Sequence, residues 1–356
     1  MTDLNDLLQL APFSLPKHEK RALHFDALND LTLHHYENCH QYQMILDTLR
    51  YNPRSKTNIY DLPAIPVPLF KAFKLASVEH ANIIKTLTSS GTTNHGVSRI
   101  FLDRQTSTNQ TKVLAKIVSS IIGSKRLPML IVDQPSIIDN RALFSARGAG
   151  IIGFSMFGYD VTFALDENMR LAVDRVEDFC RKHRGKPILV FGFTSIIWQH
   201  FVESLIKLDR TLNLQDGVLI HGGGWKKLEK IAVDNNMFKR SVERACGIRQ
   251  VHNYYGMVEQ AGSIFMECEV GYFHSSNFSD IATRTADFEI NGDSGHGLMQ
   301  LYSLLPRSYP GHILLSEDIG EIFGEDDCSC GRLGKYFKIY GRTTGAEIRG
   351  CSDVQT

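Results

Sequence analysis

Short apolar runs alternating with longer amphipathic stretches constrain the fold of this 356-residue chain more than any other feature. Residues 127–132, 187–191 and 218–220 have strand length and apolar composition, and each leads into a polar or glycine-rich turn, the pattern of a parallel sheet. Helical spacing falls between them. One stretch runs from Thr106 to about Ile122, a second from Ala172 to Lys182, and a third from Ser195 to Leu208 with Thr194 as its N-cap. A fourth runs from Trp225 towards Ala245, with Gly247 as its C-cap. Alternation of this kind predicts an α/β fold whose ligands sit at the carboxyl ends of the strands. The first 60 or so residues carry helical spacing through Leu4, Leu7, Leu8, Leu23, Phe25, Leu28, Leu31 and Leu33. Pro63, Pro66 and Pro68 make 60–75 an extended crossing segment, a joint to the main body.

Composition excludes several classes of partner. Lys+Arg and Asp+Glu both number 39, so no net field draws the chain to nucleic acid or an acidic membrane surface. Met1–Asp6 lacks a basic region leading into an apolar run, and no stretch of about 18 apolar residues occurs, which predicts a cytoplasmic protein without membrane insertion. Seven cysteines then read as reduced thiols used for packing, metal binding or reactivity.

Four groups of residues have the chemistry of an anion or nucleotide site. From Leu87 to Arg99, hydroxyls and glycines are concentrated in Ser89, Ser90, Gly91, Thr92 and Thr93, which suits phosphate; an ordinary polar turn has the same composition. This is not a P-loop, because Val97 stands where that motif has lysine. His221-Gly222-Gly223-Gly224 follows the 218–220 run, where a flat base or a phosphate lies against the main chain, or where a flexible turn leads into a helix. Tyr254, Tyr255 and Gly256 suit an adenine slot, and Glu259 suits Mg²⁺, although a core strand and a surface acid have the same look. Asp318 can accept ribose hydroxyls, and Arg342 can reach ribose or phosphate oxygens.

Their order is that of the adenylate-forming enzymes, and the chain more closely resembles the acyl-protein synthetase family, the ATP-dependent subunit of the fatty-acid reductase of bacterial bioluminescence and its homologues. The most specific pieces are Ser89–Thr93, Tyr254-Tyr255-Gly256-Met257-Val258-Glu259-Gln260, Tyr309-Pro310-Gly311-His312 and the terminal Ala346–Asp353. The resemblance implies an α/β large domain with parallel and mixed sheets flanked by helices. It implies ATP and Mg²⁺ as cofactors, and a fatty acid or other carboxylic acid activated as an acyl-adenylate. The acyl group would be carried as a thioester on Cys351 and passed to an acyl-accepting or reductase partner. Ser89–Thr93 would contact phosphates, Gly222–Gly224 and Tyr255 would line the adenine site, Glu259 would bind Mg²⁺, and Asp318 with Arg342 would hold ribose.

On this resemblance the chain divides into an N-terminal helical segment and joint (1–80), an ATP- and acyl-binding domain (81–340) and a short tail (341–356) bearing Cys351. Two departures stand out. Arg99 replaces the usual lysine of the phosphate loop, a planar fork for a point charge. The usual mobile C-terminal domain with its catalytic lysine is not expected here. From Arg342 an extended tether reaches Cys351 over roughly 30 Å, enough to deliver a thiolate to a bound adenylate; an idle cysteine at a frayed terminus is the bland alternative.

Cys268, His274, Cys328 and Cys330 supply a Cys₃His set suited to structural Zn²⁺, against buried reduced thiols; the related phenylacetate-CoA ligases place a similar set. His34, His35, Cys39 and His40 read as helix surface or packing, Cys180 and Cys246 as core thiols, and Phe154, Met156, Phe157 and Tyr159 as an acyl tunnel or plain core. Transfer to coenzyme A or a carrier protein, and a non-catalytic acyl- or nucleotide-binding role, are the alternative functions.

Overall fold

A computed structural model describes residues 4–89, 97–138, 146–225, 232–292 and 294–343. These fall into two compact units, one drawn from 4–88, 97–120 and 256–343 and the other from 121–255.

The second unit is the parallel sheet read from the sequence. Its strands stand in the order Gln250–Tyr255, Gly217–Gly222, Ile188–Phe193, Leu127–Val132, Gly158–Phe163, and all neighbours are parallel. The chain leaves Leu127–Val132 towards one edge and leaves Ile188–Phe193 towards the other. The carboxyl ends of these two strands therefore flank the topological switch point, where an open α/β sheet receives its ligand. All six residues of Ile188–Phe193 and of Gly217–Gly222 are buried. Gly158–Phe163 is an edge strand with three exposed residues and a register shift, features that blunt pairing with other chains.

Its helices adjust the sequence expectations. Thr194 is the first helical residue rather than an N-cap: Phe193, still extended, holds that position without a side-chain bond, and the Thr194 hydroxyl is engaged elsewhere. The helix continues through a π segment, Ile197–Val202, to Lys207. Downstream, the described helix is Asn235–Cys246, because the Asp234 carboxylate accepts from the Met237 amide and starts it there. Gly247 ends it at φ 78°, a left-handed cap.

The first unit carries a sheet in the order Ser279–Arg284, Gly295–Ser303, Ile313–Glu325, Lys335–Arg342, Phe273–His274, Phe265–Glu267, antiparallel throughout. Ile65–Pro66 adds to Ile313–Glu325 in parallel, so the extended joint serves as a strand, followed by one helical turn at Leu69–Ala72. Lys85–Thr88 and Arg99–Leu102 form a separate two-stranded sheet.

The helix Lys17–Asn38 docks on this unit through a stripe that is more polar than its leucines announce. Lys20, His24, Thr32 and His35 are buried beside Leu28 and Leu31, whereas Phe25 is exposed. Each buried polar group has a partner: Lys20 Nζ donates to Ser275 Oγ at 2.9 Å, His24 Nε2 meets the Asn277 carbonyl at 3.0 Å, and His35 bridges Ser77 Oγ and the Pro306 carbonyl. Lys335, also buried, donates to the Ile281 carbonyl at 2.7 Å and lies 3.3 Å from the Asp280 carboxylate. Burial of such groups is tolerated because each makes at least one hydrogen bond.

Candidate functional site

In the parallel unit the glycine turn grows directly out of the strand Gly217–Gly222. Gly222 is glycine because a Cβ would lie 2.4 Å from the Tyr254 ring. Gly223 takes φ +77°, and no described residue lies within 4 Å of a Cβ built on Gly224. Thr194, at the carboxyl end of the neighbouring strand, reaches the turn with Oγ1 lying 2.8 Å from the Gly223 carbonyl, 3.1 Å from the Gly222 carbonyl and 2.9 Å from His221 Nδ1. Burial, with Lys239 and His252 adding, pushes His221 down to about 3, so the ring is neutral.

Tyr254 packs on the turn. Behind it Phe154 stacks on Phe191 at 4.2 Å between centroids and lies 5.1 Å from Tyr254. Phe154 and Phe157 are buried, while Met156 and Tyr159 are exposed, so this aromatic set is split between core and surface. Cys246 is a buried helix thiol and Cys180 is partly exposed.

In the other unit Glu259 sits in a single 3-10 turn, Val258–Gln260, and is 3% exposed. Gln260 holds that turn: its Nε2 lies 2.9 Å from the Gly311 carbonyl, 3.2 Å from Leu301 O and 3.4 Å from His312 O. A Cβ on Gly311 would lie 2.7 Å from the Glu259 carbonyl and 2.3 Å from the Tyr309 ring. Two motifs some fifty residues apart thus share one packed turn. Burial and then the Glu259 carboxylate push the Tyr309 phenol far up, and its hydroxyl accepts from Gln110 Nε2 at 3.3 Å. His312 Nε2 meets Thr32 Oγ1 at 2.9 Å, tying the turn to the long helix.

Asp318 and Arg342 face one another across neighbouring strands, with Arg342 Nε donating to Asp318 Oδ1 at 3.1 Å. Their separation in sequence hides this contact and the antiparallel register creates it. Arg99 is cross-strand from Thr88, and Ser89 follows that strand. Ser90, Gly91, Thr92, Thr93 and Cys351 lie outside the described residues.

Cys268, His274, Cys328 and Cys330 converge, their ligand atoms all within 4.8 Å of one another. Cys330 Sγ is 3.4 Å from His274 Nε2. Tetrahedral zinc–thiolate bonds of about 2.3 Å place ligands roughly 3.8 Å apart, so the set fits Zn²⁺. Of the histidines near Cys39, His35 is buried packing and His40 is exposed. Thr194 and Gln260 are not among the site residues read from the sequence: the signal for Thr194 is its place after a buried parallel strand, and that for Gln260 is its place at the end of the Tyr254–Gln260 motif. No described helix is long and apolar enough to cross a membrane.

The family described as "Acyl-protein synthetase, LuxE" matches residues 1–356. A search of curated proteins gives no match. Among solved structures, the chain is similar to 2-hydroxyisobutyryl-CoA ligase in an open conformation with 2-HIB-AMP and CoA, with TM-score 0.69 and 14% identity over 93% of this chain and 76% of that one. The same ligase in its postadenylation state with 2-HIB-AMP gives TM-score 0.69 and 14% identity over 92% and 69%. The expected fold class, the α/β architecture of adenylate-forming enzymes, is therefore the observed one.

Proposed function

The chain belongs to the acyl-protein synthetase (LuxE) family, an acyl-activating ligase family, and from that premise we propose that it joins a fatty acid, through an acyl-adenylate, to its own Cys351. The observation that carries the reading is the Val258–Gln260 turn, which buries Glu259, sets its main-chain carbonyl against Gly311 and is clamped by Gln260 on the Gly311 carbonyl, where the two most specific internal motifs meet.

In the first step a carboxylate oxygen of the acid attacks the α-phosphorus of ATP, the bond to the bridging oxygen breaks, and pyrophosphate leaves with the electron pair. Hydroxyls and amides of Ser89–Thr93 and the Arg99 cation are suited to the phosphates, and the glycine turn with Tyr254, Tyr255 and Gly256 to the adenine. Asp318 accepts from ribose hydroxyls, and Arg342, already oriented by it, donates beside them. Glu259 offers a hard oxygen ligand for Mg²⁺, which offsets phosphate charge when bound. In the second step the Cys351 thiol loses its proton to solvent, its sulfur attacks the acyl carbonyl, and the carbon–oxygen bond to AMP breaks. The thioester then passes to an acyl-accepting or reductase partner. The protein acts in the cytoplasm.

The Cys₃His cluster holds structural Zn²⁺ through four protein ligands, leaving no open position for chemistry. Metal analysis of purified protein is expected to give one zinc per chain, lost in Cys268→Ser; zinc retained at full stoichiometry in that variant contradicts the assignment.

Intact-protein mass spectrometry after incubation with ATP, Mg²⁺ and fatty acids of graded length tests the whole reading. One acyl adduct, released by neutral hydroxylamine and absent in Cys351→Ser, is the expected result. Acid-dependent pyrophosphate release without an adduct moves the acceptor to coenzyme A or a carrier protein, and no release leaves a non-catalytic binding protein.

A further inference from the structure

We propose that Thr194 is the positioning residue of the nucleotide turn, aiming the peptide groups of Gly222–Gly224 by holding the carbonyls of Gly222 and Gly223 on one side. The inference rests on the reading that this turn receives ATP.

Thr194 stands where such control is effective. It follows the strand Ile188–Phe193, one of the two whose carboxyl ends flank the switch point of the parallel sheet. It is 6% exposed, and its Oγ1 has three polar neighbours. A threonine hydroxyl has one proton and two lone pairs. Two of those neighbours are carbonyls, which can only accept, so the proton goes to the nearer one, Gly223 at 2.8 Å, and is shared with Gly222 at 3.1 Å. The remaining contact, at 2.9 Å, is satisfied only if His221 donates through Nδ1–H. His221 is thereby fixed as the neutral Nδ1–H tautomer, leaving Nε2 as a buried acceptor with no partner among the described residues.

Planarity carries this arrangement to the ligand side. In a trans peptide the carbonyl of one residue and the N–H of the next point in opposite directions. With the Gly222 and Gly223 carbonyls turned to Thr194, the N–H groups of Gly223 and Gly224 turn away from it, side by side, as a donor pair. Among the described residues, none lies within 4 Å of a Cβ position on Gly224. Tyr254, packed on Gly222, holds the other edge of the turn. Loss of the Thr194 hydroxyl frees both peptide planes at once without removing any group that touches ATP.

The test compares Thr194→Val, which keeps the shape and removes the hydroxyl, with Thr194→Ser, which keeps the hydroxyl. ATP affinity is measured by calorimetry, and ATP and acid dependence by pyrophosphate exchange. Thr194→Val is expected to weaken ATP binding and raise the KM for ATP about tenfold, the equivalent of one buried hydrogen-bond network. The KM for acid and the kcat should stay within about twofold, and Thr194→Ser should restore ATP affinity. Nitrogen-15 spectra of wild-type His221 are expected to show the Nδ1–H tautomer. Unchanged ATP affinity in Thr194→Val, an equal rise in both KM values, a serine variant as impaired as the valine one, or an Nε2–H tautomer in the wild type would each overturn the proposal. The tautomer readout stands even if Thr194→Val fails to fold. Wild-type protein that binds ATP without acid-dependent exchange removes the adenylation reading and leaves Thr194 to be judged on ATP affinity alone. Wild-type protein that does not bind ATP overturns the positioning role.

Discussion

The Gly222–Gly224 turn and the Val258–Gln260 turn are braced by the same small device used at different ranges. In each a threonine hydroxyl lies 2.9 Å from a buried histidine nitrogen: Thr194 on His221, Thr32 on His312. The first brace comes from the residue that follows the neighbouring strand of its own sheet, 27 residues away in sequence; the second comes from the long helix Lys17–Asn38, 280 residues away. In the first the hydroxyl grips the turn's carbonyls itself. The second leaves that task to Gln260 and passes the hydroxyl's proton to the Leu28 carbonyl at 2.8 Å. One turn is thus a local feature of a parallel sheet, and the other exists only when a helix, a loop and a sheet have come together. The glycines follow suit: among the described residues none crowds Gly224, whereas Gly311 has no room for a Cβ.

That contrast orders the expected effects. Gly311→Ala forces a Cβ against the Glu259 carbonyl and the Tyr309 ring, both immobile, so a loss of about 3 kcal/mol or more in urea unfolding is expected, with loss of pyrophosphate exchange. Wild-type stability in this variant would show that the turn has slack.

Acid should strain both turns together. Burial pushes His24 down to about 4 and His221 and His312 down to about 3, below the ordinary value near 6.5. The unfolded chain therefore binds more protons than the folded one in this window, and stability falls as pH drops from about 6.5 towards 4, with no dependence from these groups above about 7. Up to about 2 kcal/mol per imidazole is expected to be lost by pH 5. Replacing His221 by asparagine should flatten part of that slope in urea titrations at pH 5 and 7, and an unaltered slope would remove it from the account.

Gly224→Ala is the smallest effect. Stability should change by no more than about 0.5 kcal/mol, and a large loss would mean that the turn is packed on its open side.

The difference in range also explains what was legible in the sequence. The strand at 127–132 was read to its ends, because an apolar run bounded by turn residues needs no distant partner. The helix Asn235–Cys246 was missed at its start: Asp234 caps it locally, but Trp225 and the apolar residues after it carry helical spacing too. The long N-terminal helix was legible as a helix but not in its buried face, since Lys20, His24 and His35 belong inside only because Ser275, Asn277 and Pro306 await them far along the chain. At the site, the resemblance assigns Asp318 and Arg342 to the same ribose, but their direct contact comes only with the antiparallel register. Gln260 was invisible as a clamp, because nothing in its neighbourhood reveals the carbonyls of Leu301, Gly311 and His312.

Acid-dependent exchange of labelled pyrophosphate into ATP, compared between the wild-type protein and Glu259→Gln, tests adenylation most directly. Exchange that requires a fatty acid and falls about 10²-fold or more in the variant, with its urea midpoint unchanged, is the predicted result. No acid-dependent exchange by the wild-type protein, or full exchange by Glu259→Gln, would contradict it.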